Sequence, residues 1–190
     1  MPRETILYTR VGDDGYTGVL GRERVPKYDI MPEAYGTVDE ASALLGVART
    51  AVRHPRSAEI ILEVQRDLYA AMADLATTPE AAERSGVRLG QARVAWLEAL
   101  TDEIADQVDI PPAFIVAGDS CAGALVDVAR TVVRRAERIV AHMHHQALLC
   151  NPTVLQYLNR LSSLLFALSR LEDKAAGVEQ FTLAKWEKRE

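Results

Sequence analysis

The spacing of apolar residues divides the chain into a long helical part and a shorter N-terminal part. From about residue 29 onward, apolar side chains recur every three or four positions, which places them on one face of a helix. Capping residues, prolines and glycines bound five such segments, at residues 32–53, 57–77, 88–108, 120–149 and 153–174. Five helices with short connections predict an all-α fold, an antiparallel five-helix bundle.

The first 28 residues lack this period. A short extended segment at residues 6–9 leads into closely spaced glycines, which include Gly12 and Gly15. Glycine leaves backbone N–H groups free to face a ligand, and it makes a free segment flexible. The stretch lacks the residue order of a P-loop and opens no immediate helix. It therefore predicts either a phosphate-binding loop, to which Lys27 adds a positive charge, or a flexible leader.

Composition limits the classes of protein that fit. The chain has 190 residues, enough for a single domain in which residues 1–28 form the loop and residues 29–190 the bundle. A net charge of -5 gives no general attraction to nucleic acid or to an anionic membrane. We expect no membrane span, because no apolar run approaches roughly 20 residues. A polar N-terminus and two cysteines, Cys121 and Cys150, predicted to be unpaired and buried, indicate a cytoplasmic protein.

The fourth predicted helix carries a ladder of charged residues, Arg130, Arg134 and Glu137, beside an apolar stripe. Arginines at the edge of a core are costly to desolvate unless they are paired or bind an anion. The planar guanidinium suits phosphate, because it donates two parallel hydrogen bonds. The ladder therefore predicts one wall of an anion site. The alternative is a salt-bridged surface in which Asp127 and Glu137 neutralise the arginines.

The first and fifth predicted helices carry further polar candidates. The fifth has apolar residues on both faces, which indicates a second subunit or a ligand on the outer face, formed by Leu155, Asn159, Ser163, Phe166 and Arg170. Asp39 in the first helix follows Gly36, whose presence there costs about 1 kcal/mol relative to Ala and suggests close approach by another group. A plain surface carboxylate is the alternative for Asp39. Histidines near residue 144 fit a helix C-terminus better than a metal site.

In combination, these segments resemble the PduO-type ATP:cob(I)alamin adenosyltransferases. The resemblance covers nearly the whole chain in the family's order, and its most specific part is the Arg-Thr-x-x-Arg-Arg-Ala-Glu-Arg motif of the fourth helix. The matching blocks are residues 8–15, 23–27, 34–40, 114–116, 129–138 and 157–162. The chain departs from the family's usual residues at Ser163 and at Asp119, and it has Arg22 where a second glycine is common.

The resemblance implies a homotrimer with ATP bound between adjacent subunits. Arg134, Glu137 and Asn159 would complete the ATP site, and Arg130 would pair with Asp39 of the partner subunit. The nucleotide loop of one subunit would contribute Thr9, Gly12, Gly15, Thr17 and Lys27.

The implied reaction transfers the 5′-deoxyadenosyl group of ATP to the cobalt of cob(I)alamin and releases triphosphate. Arg134 and Mg²⁺ would neutralise the leaving triphosphate, and Phe114 would face the corrin and help to remove the lower axial ligand of cobalt. A corrinoid reductase and a B12-dependent enzyme would be partners. The alternatives are a non-catalytic trimer that senses nucleotide or delivers corrinoid, and a helical oligomer that shares only the fold.

Overall fold

The computed structural model describes residue 8, residues 10–84 and residues 86–185. These residues form five α-helices and one short antiparallel sheet, which confirms the predicted five-helix bundle. The helices are Ile30–Ala51 (α1), Ser57–Leu75 (α2), Gln91–Ala105 (α3), Cys121–His145 (α4) and Thr153–Ala175 (α5), and the strands are Tyr16–Val19 (β1) and Arg22–Pro26 (β2). Through the bundle, α1 packs on α2 and α4, and α5 packs on α4 and α3.

Local hydrogen bonds explain where the helices differ from the predicted bounds. Helix α1 begins at Ile30 because the Asp29 side chain caps it by accepting from the backbone N–H of Met31. Helix α3 begins later than predicted, since the backbone N–H of Leu89 bonds to a carboxylate oxygen of Asp74 instead of entering a helix. Helix α4 ends at His145, and the left-handed φ of 57° at Ala147 turns the chain toward α5.

One continuous apolar core joins the five helices. The predicted stripe of α2 is buried at Ile61, Val64, Leu68 and Leu75. Full burial of one such side chain contributes about 1.5–3 kcal/mol. The predicted apolar stripe of α4 is fully buried as well, at Ala129, Val133, Ala136 and Val140.

The predicted outer face of α5 is wrong at Arg170. Asn159 and Ser163 are exposed, but Arg170 is only 1% exposed. Its Nη2 donates to Asp127 Oδ2 at 2.6 Å, and its Nη1 lies 3.2 Å from Asp173 Oδ2. The second half of α5 is buried almost all round, so this arginine points into the protein and is neutralised there.

The region predicted as a flexible loop contains an ordered hairpin. Strands β1 and β2 pair with Tyr16 opposite Pro26 and Thr17 opposite Val25. Two backbone hydrogen bonds of 2.8 Å attach the hairpin to the end of α2: the N–H of Leu20 donates to the carbonyl oxygen of Ala76, and the N–H of Thr78 donates to that of Leu20. The extended segment predicted at residues 6–9 lies outside the described residues, apart from Tyr8.

The two cysteines differ in environment. Cys121 is exposed, so the prediction that both thiols are buried is wrong for it. Cys150 is partly buried, its Sγ lies 3.2 Å from the carbonyl oxygen of Thr77, and burial raises the pKa of its thiol. Among the described residues, no helix combines the length and apolar character that crossing a membrane requires.

The closest approach of α4 and α5 gives a test of packing. A Cβ added at Gly123 would overlap Asp173 Oδ1 and lie 2.9 Å from the carbonyl oxygen of Ser169, whereas a Cβ at Gly36 meets nothing within 4 Å. We expect Gly123→Ala to lower the free energy of unfolding by about 1–3 kcal/mol. The matched control Gly36→Ala should raise it by roughly 0.5–1 kcal/mol, because alanine favours the helix. Urea unfolding measures both, and equal effects of the two substitutions would contradict the close approach.

Candidate active site

The charged ladder of α4 separates into paired and unpaired residues. Arg130 Nε donates to Asp127 Oδ1 at 2.7 Å, and its guanidinium lies 5.9 Å from the ring centre of Phe166. Asp127 therefore neutralises Arg130, as the salt-bridged alternative predicted. Arg134 is exposed, and among the described residues no hydrogen bond or ion pair engages its side chain. Arg134 is thus a cation in contact with solvent and available to an anion.

Among the described residues no ion pair joins Glu137 to Arg134, and the Glu137 carboxylate is instead hydrogen-bonded to α5. Glu137 Oε1 accepts from Asn159 Nδ2 at 2.7 Å, which joins α4 to α5. Asn159 Oδ1 in turn accepts from Arg160 Nη1 at 2.6 Å, and Arg160 Nε donates to Glu98 Oε1 of α3 at 2.7 Å. These bonds form a polar chain across three helices. The structure brings Glu137 and Asn159 together, as predicted, beside the unpaired Arg134.

Arg24 closes the N-terminal loop. Its two Nη atoms donate to the carboxylate of Asp14 at 2.8 and 2.6 Å. Nη2 also donates to the carbonyl oxygens of Val11 and Tyr16 at 2.5 and 2.9 Å. The hydrogen bond from Arg24 lowers the pKa of Asp14 below its ordinary value. One guanidinium on β2 therefore fixes both ends of the glycine-containing turn, a role that the sequence interpretation missed.

The loop residues predicted to bind nucleotide lie partly together. The backbone N–H of Lys27 donates to the carbonyl oxygen of Gly15 at 2.9 Å, and Gly15 has a φ of 83°. The Lys27 ammonium lies so close to Gly12 that a Cβ there would be 3.0 Å from Nζ. Thr17 lies farther along, in β1. Thr9 lies outside the described residues.

Phe114 and Arg130 line the same surface cavity. The Phe114 side chain is 86% exposed, so the ring is accessible to a ligand or a partner. The cavity has a volume of 450 Å³ and is lined by Pro112, Ala113, Phe114, Ile115, Arg130 and Phe166. Cavities of 490 and 520 Å³ beside Lys174 are as large, so the lining residues rather than volume select this site.

Several predicted partners do not meet within one chain. Among the described residues, no hydrogen bond or ion pair joins the N-terminal loop to Arg134, Glu137 or Asn159. Asp39 is exposed and does not contact Arg130, and nothing lies within 4 Å of a Cβ at Gly36. In the part of the chain that the structure describes, no group of three His, Cys, Asp or Glu side chains is arranged to hold a metal ion.

Comparison with known proteins agrees with this architecture. A variant of the PduO-type ATP:corrinoid adenosyltransferase from Lactobacillus reuteri, solved with cobalamin and ATP, superposes with a TM-score of 0.87 at 29% identity, covering 94% of this chain and 98% of that one. The corrinoid adenosyltransferase of Citrobacter freundii is 36% identical over 172 residues, which cover 90% of this chain and 97% of that protein. The corrinoid adenosyltransferase of Mycobacterium bovis is 40% identical over 173 residues, 88% of each chain.

The family model for cobalamin adenosyltransferases matches residues 7–172. The chain belongs to this family. The sequence interpretation missed the role of Arg24 in the loop and the buried ion pair of Arg170 with Asp127, although it had named Asp127 as a partner of the ladder arginines. A charged residue within an otherwise apolar stretch of a helix was the available signal for Arg170.

The contacts of Arg24 generate a test of loop order. We expect Arg24→Ala to speed hydrogen exchange at the Gly15 and Lys27 amides about tenfold, because charge-assisted bonds that close the turn are lost. Arg56→Ala is the control, since it removes an exposed ion pair with Glu103 but no contact to this loop. NMR measurement of amide hydrogen exchange in both variants gives the rates at Gly15 and Lys27. Unchanged exchange at both amides in Arg24→Ala would show that other contacts order the loop.

Proposed function

We propose that the protein transfers the 5′-deoxyadenosyl group of ATP to the cobalt of cob(I)alamin, releasing triphosphate and forming adenosylcobalamin. The observation that carries this proposal is the unpaired cation of Arg134, one helical turn from the Glu137 that bonds to Asn159. Arg134 lies on α4, within the residues that the family model matches. The relatives bear the name corrinoid adenosyltransferase, and the similar solved structure contains both cobalamin and ATP.

The chemistry requires geometry and charge rather than a protein nucleophile. The cobalt(I) centre of the substrate supplies an electron pair to the 5′-carbon of ATP, so that a cobalt–carbon bond forms. The carbon–oxygen bond breaks, and its electron pair leaves on the triphosphate. The protein must align these atoms and stabilise the developing charge. Arg134 and Lys27 are the cations proposed for the triphosphate, and Gly12 and Gly15 are proposed to let the backbone of the loop approach the phosphates closely.

The corrin is proposed to lie against Phe114. The exposed ring and the neighbouring 450 Å³ cavity offer an apolar face on which a flat macrocycle can pack. In this position Phe114 would exclude the lower axial ligand of cobalt and favour four-coordinate Co(II), from which Co(I) is easier to form. Mg²⁺ is proposed to bind the oxygens of the triphosphate, which are the hard oxygen ligands that this ion prefers.

The active unit is proposed to be a homotrimer in which the loop of one subunit meets the arginine-bearing helix of the next. Support comes from the separation of these two elements within one chain and from the exposed Asp39, which has open space beside it at Gly36. Asp39 would pair with Arg130 of the partner subunit. We also propose that the chain is a single domain in the cytoplasm. Its partners are proposed to be a corrinoid reductase and a B12-dependent enzyme.

The proposed reaction is tested by following the corrin spectrum after mixing protein, ATP, Mg²⁺ and chemically reduced cobalamin. We expect formation of a cobalt–carbon bond. Binding of ATP without formation of that bond would support the alternative, a non-catalytic trimer that senses nucleotide or delivers corrinoid. In the same assay Arg134→Ala should lower kcat/KM for ATP by a factor that corresponds to about 2 kcal/mol or more, since a charged contact to phosphate is lost.

Arg66→Ala is the control for this substitution. Arg66 pairs with Glu63 on the surface of α2, and exposed pairs of this kind contribute little. Its kinetic constants should match those of the unmodified protein. A rate and an ATP affinity that stay unchanged in Arg134→Ala would remove Arg134 from the site.

Asp39 allows a test of the trimer that leaves the fold of the subunit intact. Asp39 has no side-chain partner among the described residues, so Asp39→Ala should leave the structure of one subunit unchanged. We expect the variant trimer to dissociate at a higher protein concentration than the unmodified trimer, because a charge pair between subunits is lost. Sedimentation velocity over a concentration series measures this, with the exposed Asp102→Ala on α3 as the control. Identical sedimentation of both variants would contradict the Asp39–Arg130 pairing.

A further inference from the structure

The C-terminal segment after α5 returns to the loop that carries Phe114. The backbone N–H of Val116 donates to the carbonyl oxygen of Thr182 at 2.7 Å, and that of Ala184 donates to the carbonyl oxygen of Phe114 at 2.8 Å. Ile115 and Leu183 form an antiparallel bridge between these two bonds. The residues from Phe181 to Ala184, called the strap below, therefore pair with residues 114–116 as a short second strand.

Asp119 fastens the strap by its side chain. Asp119 Oδ1 accepts from Thr182 Oγ1 at 2.6 Å, and Oδ2 accepts from the Thr182 backbone N–H at 3.0 Å. The next residue, Ser120, donates to Asp173 Oδ1 of α5 at 2.6 Å. The end of the Phe114 loop is thus tied both to the strap and to the bundle.

The strap also rests on the buried charges of the bundle. The guanidinium of Arg170 lies 5.5 Å from the ring centre of Phe181 and 5.6 Å from that of Phe166. Phe166 lines the cavity beside Phe114. The anchor of the strap and the wall of the cavity therefore share one buried arginine.

Phe114 depends on these backbone contacts because its side chain has little support. A ring that is 86% exposed is not held in place by packing, so its position follows from the backbone that carries it. We propose that Asp119 is a positioning residue for corrinoid binding: through Thr182 it holds the strap against residues 114–116 and so fixes Phe114 at the rim of the cavity. This inference rests on the proposed function.

Thr182 offers the sharper pair of substitutions. Thr182→Val keeps the shape of the side chain but removes the hydroxyl donor, whereas Thr182→Ser keeps the donor. We expect Thr182→Val and Asp119→Ala to raise both KM and Kd for reduced cobalamin about fivefold or more, since one or two hydrogen bonds are lost. KM for ATP should stay within about twofold. Thr182→Ser and the charge-matched control Asp102→Ala should behave as the unmodified protein.

Release of the strap is measured independently by limited trypsin digestion. Cleavage after Lys185, identified by mass spectrometry, should become faster in Asp119→Ala and Thr182→Val than in the two controls. Faster cleavage together with weaker cobalamin binding supports the proposal. Faster cleavage with unchanged cobalamin KM and Kd overturns it, as does unchanged cleavage whatever happens to binding. If the unmodified protein forms no cobalt–carbon bond, the proposed function fails, while cleavage and the Kd for cobalamin still decide whether the strap positions Phe114.

Discussion

The buried guanidinium of Arg170 constrains how the two central helices pack. A charge with 1% exposure that lacked partners would cost several kcal/mol, so the fold must bring carboxylates to it. Asp127 comes from α4 and Asp173 from α5 itself, and both are buried. Because α4 can supply Asp127 in only one register against α5, this contact fixes how the two helices are aligned.

The alignment has direct consequences for the outer surface of α4. Asp127 divides its two oxygens between the buried Arg170 and the half-buried Arg130, so one carboxylate links the core to the first residue of the ladder. In the same register, Glu137 reaches Asn159 of α5, and Arg134 is left with no partner among the described residues. The charged ladder on the surface of α4 is therefore connected, through Asp127, to a buried ion network. An interface role for Arg130 adds to its contact with Asp127 and does not replace it.

The elements of the fold were predictable because each has a local cause. Apolar residues at helical spacing, with breakers between them, predicted all five helices. The family resemblance proposed the ladder residues and Asn159 as site residues. Arg170 was misplaced, because helical periodicity locates a face but does not show that Asp127 of α4 and the ring of Phe181 lie against it. The hairpin was missed because Arg24 orders the loop through contacts with Val11, Asp14 and Tyr16, and such contacts leave no periodic pattern.

The two proposed halves of the ATP site are ordered separately, the loop by Arg24 and the ladder of α4 by Asp127 and Glu137. Among the residues that the structure describes, no hydrogen bond or ion pair joins them within one chain. The central claim is that they meet between subunits. It is tested most directly by mixing Arg24→Ala and Arg134→Ala subunits, once each alone has been shown to lack activity, allowing them to exchange, and measuring adenosylcobalamin formation. In a random mixture about a quarter of the interfaces combine an intact loop with an intact helix, so roughly that fraction of activity should return. No recovery after proven exchange would contradict a site shared between subunits.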